Sequence, residues 1–476
     1  MMFQDTRTPT VATLSRDREA MQSDIDLIAD ILGGLPAMRA NAGKYLPPYD
    51  AEGRDEWQRR VNSAPWRAEF ADALATLSGK PFSKPVSLPA DAPAAVMRFV
   101  DDVTNDGENL HAFARRVFQD AASFGITLVG VAYASRPWAR SRAEEKAIGA
   151  RPYWFSIPAA SVIAAYENAR RELVHIRWQS VTTERDGDFG EREVKRIHVY
   201  ETGRWQTWIE VKSPREGGKY WEMEAEGQLN GATLPIVRIR FGERLGVIRT
   251  RPPLLDLAHM QVELWRALSR LDETLTYSGS PMLSATGVDP AQFAQGGLKV
   301  GPKACLFAPE GGAWGYVQPD ADVLREVAEH ARTVIEDMQR LALQPTLAKA
   351  VASTATEVAL AHAKANSVLE SWALSFRDAL EHALELTLPM LAVWTNAAEE
   401  ERALRSWAPT INLHCDFDGD AQGATEARLV IDAAKAGVVS RVTATEELQR
   451  RGILGPTFDP AAEDTRLGQE LPEAAE

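Results

Sequence analysis

The spacing of apolar residues changes along this chain, and the changes divide it into regions. Through residues 1–115 helical patterns alternate with Pro and Gly breaks. Asp24–Leu32 has the helical period, and Gly33-Gly34 predicts its stop. Lys44-Tyr45-Leu46-Pro47-Pro48 predicts an extended or turn segment, because a residue before proline avoids the α region. Glu56–Leu77 reads as one or two helices ending at Ser78-Gly79, and Asn109–Ala122 as an amphipathic helix with Leu110, Phe113, Val117 and Ala121 on one face. The period then falls to two. Gly125–Ala134, Tyr153–Ile157, Val174–Val181, Arg196–Glu201, Arg204–Val211, Lys219–Met223 and Thr233–Arg240 predict strands of one antiparallel sheet, with turns at Asp186-Gly187, Thr202-Gly203 and Glu216-Gly217-Gly218.

After Pro252-Pro253 the helical period returns. Leu254–Tyr277 carries Leu257, Leu264, Leu268, Leu271 and Leu275 at a three-four spacing that skips only Gln261. A Gly- and Pro-rich module, Ser278–Pro319, holds short strand candidates at Met282–Ala285, Ala304–Ala308 and Trp314–Val317. Asp320–Leu343 follows, with Leu324, Val327, Ala331, Val334, Met338 and Leu341 in an unbroken stripe and charged residues opposite. Gln344–Ser353 reads as a breaker loop. Thr354-Ala355-Thr356-Glu357 has the form of a capping box opening a helix to about Trp394, which Pro389 should kink or end. Asn412–Phe417 is a strand candidate, Thr425–Gly437 and Thr443–Gly452 are short helices, and the acidic stretch from Leu454 to Glu476 is expected to end in disorder. Helices, then strands, then helices make an α+β chain.

Composition narrows the functions. The chain has 476 residues, enough for several folding units at roughly 100–200 residues each. Lys plus Arg number 53 and Asp plus Glu 67, a net charge of −14. A protein that grips duplex DNA gains affinity by neutralising phosphates, so any contact of this chain with DNA should be weak, local or repulsive. Cys305 and Cys415 make no disulfide framework. Met1–Ala20 is too polar for a signal peptide, and the longest apolar stretch, around Phe124–Ala134, falls short of the ~20 residues of a membrane helix; the expectation is a soluble protein with no membrane contact, made in a reducing cytoplasm.

Catalytic signatures are missing from the sequence. There is no GxxxxGK[ST], HExxH, CxxC or GxSxG, and the eight His residues pair with no His or Cys at ligand spacing. Asp416-x-Asp418-Gly419-Asp420 lacks the spacing of a calcium loop and reads as a polar turn after a strand. The expectation is therefore no catalysis, no metal and no cofactor. Carboxylates are plentiful, so a metal-dependent nuclease or other DNA-processing enzyme stays open as an alternative, as does a capsid or tail scaffold without a channel.

Two helices of similar length flanking a compact β module suggest a hairpin with a head at its tip. The narrow stripe of Asp320–Leu343 leaves a broad wet face that suits either a ring lining or an ordinary solvated bundle. Here a resemblance adds to the residues. Arg251-Pro252-Pro253-Leu254-Leu255-Asp256-Leu257-Ala258, with Trp265, Arg270 and Tyr277-Ser278-Gly279-Ser280-Pro281, is similar to a group of phage portal proteins long catalogued as a domain of unknown function. So are Thr354-Ala355-Thr356-Glu357 with Asn366-Ser367-Val368-Leu369-Glu370-Ser371-Trp372, and Lys44-Tyr45-Leu46-Pro47 with Trp57, Arg60 and Gly79-Lys80-Pro81-Phe82. The order of these blocks resembles that group over about residues 25–455.

The resemblance implies a portal-type subunit: an α/β wing over 1–250, stem helices at 251–277 and 320–343, a small β-containing clip at 278–319, a channel loop at 344–353, a long channel-side helix at 354–396, a return to the wing at 397–424 and a small helical crown with an acidic tail at 425–476. It implies a homo-oligomeric ring, a dodecamer, at the capsid vertex of a virion assembled in the host cytoplasm. Double-stranded DNA would pass through it during packaging and ejection. Terminase large subunit, a head-tail adaptor and the major capsid protein would dock on it. On this reading Gln344, Thr346 and Lys349 of the loop are candidate DNA contacts, Lys349 being the loop's one charge. Glu326, Glu329, Glu336, Asp337, Arg325, Arg332 and Arg340 are candidates to face the channel, and Trp314 and Tyr316 to meet a partner at the clip. A solvated helix face, a solvated lysine and packed β residues are the alternatives for the same positions.

Overall fold

The computed structural model describes residues 9–133, 144, 150–212, 218–229, 231, 233–279, 282–287, 311–317, 321–342, 355–395, 398–415, 417, 428, 430–436 and 439–450. The chain mixes helix and sheet in an α+β fold and divides into two compact units. One comprises Met1–Ala20, Ala75–Pro252 and Lys349–Glu476; the other comprises Met21–Leu74 and Pro253–Ala348.

In the first unit, α7 (Leu110–Phe124) forms where the apolar period predicts it. Asn109 Oδ1 accepts the Ala112 N–H and caps its start. Gly125 ends it at φ +78°, where an added Cβ would meet Pro252 and Arg251 backbone. Leu110, Phe113, Val117 and Ala121 are all buried, as the spacing requires. The chain then enters β1 (Ile126–Tyr133), which pairs antiparallel with β2 (Pro152–Pro158) and β8 (Ile236–Arg240). Gly130 lets β2 close on β1, since a Cβ there would overlap the Phe155 ring.

The strands do not make one sheet as expected. β2-β1-β8 is a separate three-stranded sheet, and β3 (Val162–Glu167), β4 (Leu173–Asp186), β5 (Gly190–Glu201), β6 (Arg204–Lys212) and β7 (Lys219–Gln228) form a five-stranded one in sequence order. Tight hairpins explain that order: Thr202-Gly203 joins β5 to β6 with Gly203 at φ +87°. β3 has no period-two signal, being buried at its first four positions. Asn412, read as the start of a strand, makes only an isolated bridge with Ser87.

A long helix, α10 (Ala355–Thr395), packs on the three-stranded sheet through Leu369, Ala373, Phe376, Leu380, Ala383, Leu384 and Leu391. Phe376 meets Phe118 edge-on at 5.2 Å, and Trp154 donates its indole N–H to Thr387 Oγ1 at 2.8 Å. Pro389 does not end the helix, which runs on to Thr395; burial of Leu384 and Leu391 on either side offsets the missing backbone donor. α6 (Ala94–Val100) completes this core, while α11 (Ala398–Ser406) adds Leu404 to it.

α1 (Arg16–Leu32), whose residues from Met21 onward belong to the second unit, starts earlier than its apolar period shows, because the Ser15 side chain accepts the Arg18 N–H. Gly33-Gly34 interrupts the helix, with Gly34 at φ +68°, and α2 (Gly34–Ala40) and α3 (Ala42–Tyr45) follow at once. Lys44 and Tyr45 are thus helical rather than extended; the chain leaves the helix only at Leu46, where Pro47 forces it. Arg60 on α4 (Arg54–Ser63) holds the following turn by donating to the Pro47 carbonyl and to both Glu52 oxygens, and Trp57 donates to the Leu46 carbonyl at 2.8 Å. The Arg60–Glu52 pair is buried, and the hydrogen bonds from Arg60 drive the Glu52 carboxyl below its usual range. α5 (Glu69–Gly79) separates from α4, so Glu56–Leu77 is two helices.

Candidate functional site: the helical pair and its hairpin

The site of interest is the run from Leu255 to Leu341 in the second unit. α8 (Leu255–Gly279) leads into β9 (Met282–Thr286), which pairs antiparallel with β10 (Ala313–Val317), and α9 (Ala321–Leu341) returns along α8. The inner half of α8 buries Leu257, Ala258, Val262, Leu264 and Trp265, while Leu268 and Leu271 are half-buried and Leu275 is exposed. Gln261, the gap in the leucine spacing, is fully buried. Its Oε1 accepts the Phe70 N–H at 3.0 Å and its Nε2 donates to the Arg67 carbonyl at 2.7 Å, so one side chain serves the first turn of α5. The polar interruption is therefore a cap and not a flaw in the stripe.

α9 is the opposite kind of helix. Its buried seam is Ala331, Val334 and Met338, with Leu324 and Val327 half-buried. Leu341, expected in the stripe, is exposed; Ala342 is buried instead, since a 3.6-residue turn from Met338 reaches position 342 better than 341. The remaining faces carry charge in water. Arg325 pairs with Asp322 at 3.1 Å, Arg332 with Glu329 at 3.3 Å and Arg340 with Asp337 at 3.2 Å, all three residues apart. The Arg332 and Glu329 side chains keep 71% and 65% of their exposure, so the contact holds neither in place strongly. Glu326 is exposed and Glu336 half-buried. Among the seven α9 candidates, the structure thus brings Arg332 to Glu329 and Arg340 to Asp337.

At the tip, Trp314 pairs in register with Ala285 and Tyr316 with Leu283. Trp314 is half-buried on the strand. Ala304–Ala308, Cys305 and the loop candidates Gln344, Thr346 and Lys349 lie outside the described residues. So do Thr354, Asp416, Asp418 and, within 425–437, residues 425–427, 429 and 437.

Sequence reasoning missed a cleft of about 700 Å³ beside α8. His259, Glu263, Arg266 and Arg270 line it from α8, spaced four, three and four residues apart and therefore on one helix face. Lys44 closes it from α3 and His330 from α9. Arg266 Nε donates to the Tyr45 carbonyl at 2.6 Å, which anchors α8 to the end of α3. Tyr45 is itself buried and donates a hydroxyl hydrogen bond to Asp30 Oδ2 at 2.7 Å; burial, followed by that bond, lifts its ionisation above the ordinary tyrosine range. The signal was in the sequence as the polar spacing of α8, hidden behind the stronger leucine pattern. Among the described residues no His, Cys, Asp and Glu side chains gather in a metal-binding group of three, and no helix is long and apolar enough to cross a membrane.

Comparison with known proteins bears on this same run. A family described as "Domain of unknown function (DUF4055)" matches residues 253–395, the stretch from α8 through α10. No curated protein matches the chain. Among solved structures, the chain is similar to one in "Virion of native gene transfer agent (GTA) particle", at 12% identity and a TM-score of 0.43, covering 89% of this chain and 99% of that one. It is also similar to chains in "Neck of empty GTA particle computed with C6 symmetry" (12% identity, TM-score 0.45, 85% and 95% covered) and "Neck of native GTA particle computed with C12 symmetry" (13%, 0.41, 80% and 89%).

Proposed function

We propose that this chain is the repeating subunit of a portal ring, the channel at a capsid vertex through which double-stranded DNA is packaged and ejected. The observation that carries the reading is the helical pair: α8 and α9 pack along one seam, a β hairpin heads them, and α9 leaves a broad charged face in water. The sequence blocks that resemble portal proteins fall along α8 and in the first half of α10, which gives independent support.

In the ring α8 and α9 form the stem and the hairpin the clip, where terminase large subunit and a head-tail adaptor dock. Trp314 and Tyr316 lie there for a partner. Part of the exposed face of α9, drawn from Glu326, Glu329, Glu336, Asp337, Arg325, Arg332 and Arg340, faces the channel, and Gln344, Thr346 and Lys349 form the loop nearest the DNA. A portal needs no covalent chemistry from these groups. It must let a polyanion slide, and each neutralised phosphate would deepen a well along the path. Mixed charge with a net of −14 over the chain suits weak, sequence-independent contact.

Negative-stain electron microscopy of the purified chain tests the reading. Closed rings with a hole passing a duplex of roughly 20 Å, a width set beside the groove dimensions of B-DNA, are expected. Open sheets or tubes would favour a scaffold without a channel. Monomers that cleave DNA with magnesium or manganese would favour a nuclease.

A further inference from the structure

Two charged stripes on the helical pair have matching spacing. On α8, His259, Glu263, Arg266 and Arg270 stand at intervals of four, three and four residues and line the open cleft. On α9, Arg325, Glu329, Arg332 and Glu336 stand at the same intervals, on a face away from the buried Ala331, Val334 and Met338. Equal intervals on two α-helices give equal rises, so one stripe can lie along the other over its whole length, about 16 Å.

The order of signs decides how. Laid antiparallel, His259 meets Glu336, Glu263 meets Arg332 and Arg266 meets Glu329, leaving only Arg270 opposite a like charge, Arg325. Laid parallel, Glu263 would face Glu329 and Arg266 would face Arg332, two repulsive pairs in the middle. The stripes thus select the antiparallel arrangement. They cannot meet within one subunit, because the seam of α9 already faces its own α8.

We propose that the α8 cleft of one subunit receives the Arg325–Glu336 stripe of α9 from a second copy of this chain. The proposal rests on the portal reading and specifies how its ring closes. Neighbours in a ring are related by rotation about one axis, so helices antiparallel within a subunit are antiparallel across the interface too. The level also fits. The hairpin pairs Met282 with Val317, and His330 lines the cleft together with Arg270. His330 on α9 and Arg270 on α8 thus reach one cleft, and they stand one residue from Glu329 and four residues, about one turn, from Arg266 on their own helices.

The contact joins two different patches of the same chain, which is the heterologous type that builds rings. Its mixed signs fit a protein surface better than DNA, since Glu263 would repel phosphate where it can meet Arg332. The exposed Arg332–Glu329 pair costs little to exchange for intersubunit partners.

Charge reversal tests the contact. Wild-type protein, Arg266→Glu, Glu329→Arg and the combined variant are compared by negative stain and light scattering. We expect each single reversal to lower the ring fraction at least tenfold and the combined variant to restore it. Rings that persist in either single variant, or a combined variant that stays unassembled, overturn the contact. A wild-type chain that never forms rings overturns the portal reading beneath it. A Glu263→Cys, Arg332→Cys pair in a background with Cys305→Ser and Cys415→Ser provides a second readout. Oxidation should give a ladder of covalent multimers, and monomer alone in assembled wild-type-like rings would also sink the proposal.

Discussion

α7 and α9 are both amphipathic helices, and their difference separates what folds the chain from what it offers to other molecules. α7 has nine buried residues among its 15, including three Phe, and reaches the same core as α10 and the three-stranded sheet. α9 has 21 residues and buries only Ala331, Val334 and Met338 among its described side chains. Arg325, Arg332 and Arg340 each make a short-range pair with an acid on the same helix. A helix surrounded by its own chain is fixed by apolar area, at about 25 cal/mol per Å². A helix with one narrow seam leaves most of its surface for water or another subunit.

The comparison breaks first if the core around α7 proves soft. Phe376→Ala removes a ring in contact with Phe82, Phe118 and Phe241. It should cost about 3–5 kcal/mol in denaturant unfolding, as large-to-small changes at buried aromatics do. A loss below about 1 kcal/mol would mean that this aromatic cluster is not what holds the first unit together.

The second largest effect concerns α8, which shares features of both helices. Gln261→Ala leaves the Phe70 N–H and the Arg67 carbonyl without their side-chain partner in a buried place. The expected loss is about 2–3 kcal/mol, and Gln261→Glu should not restore it, because a carboxylate cannot donate to Arg67. An unchanged midpoint for Gln261→Ala would place α8 with α9, as a helix held by its seam alone.

These residues also show how far the sequence was legible. Periodicity located α7, α8, α9, α10 and most strands, because each repeats its burial at a fixed interval. It could not divide the strands between two sheets, since pairing depends on partners distant in the chain, and it passed over β3, whose buried run does not alternate. The blocks that carried the resemblance were visible as residues but not as roles. Trp57 and Arg60 hold the Pro47 turn, while Trp372 stacks on Phe241 at 5.3 Å. They mark architecture rather than chemistry. At the candidate site the charged face of α9 was legible, but its three-residue ion pairs and the cleft beside α8 were not. Both depend on side-chain reach and on a third helix, α3, that the proline signal had assigned to an extended segment.

A smaller effect is confined to the sheet region. His198 lies between Ser180 Oγ at 2.9 Å and Thr207 Oγ1 at 3.3 Å and stacks on Trp178. Burial first, then the nearby Arg196 charge, lowers its pKa to about 4. The unfolded chain, with an ordinary histidine near 6.5, takes up a proton before the folded one does. The contribution of His198 is therefore whole above about pH 6.5 and is lost as pH falls through about 4. Stability should therefore fall between pH 7 and pH 4, and His198→Gln should show a flatter acid limb in urea midpoints. Equal slopes in both proteins would remove His198 as a source of acid sensitivity and leave the paired carboxylates to account for it.

The smallest expected change in stability is the one that most sharpens the contrast between the two helices. Arg332→Ala breaks an ion pair whose side chains are mostly in water, so the isolated subunit should lose no more than about 0.5 kcal/mol. If α9 were held as α7 is, removing a charged residue from it would cost as much as disturbing the core. If its wet face is an assembly surface, the unfolding midpoint of the monomer stays where it was while the concentration needed for rings rises, because Glu263 of the neighbouring subunit loses its partner. Measuring both quantities on the same preparation separates the two cases. A fall in monomer stability with unchanged assembly would show that the charge pattern of α9 serves its own helix and nothing beyond it.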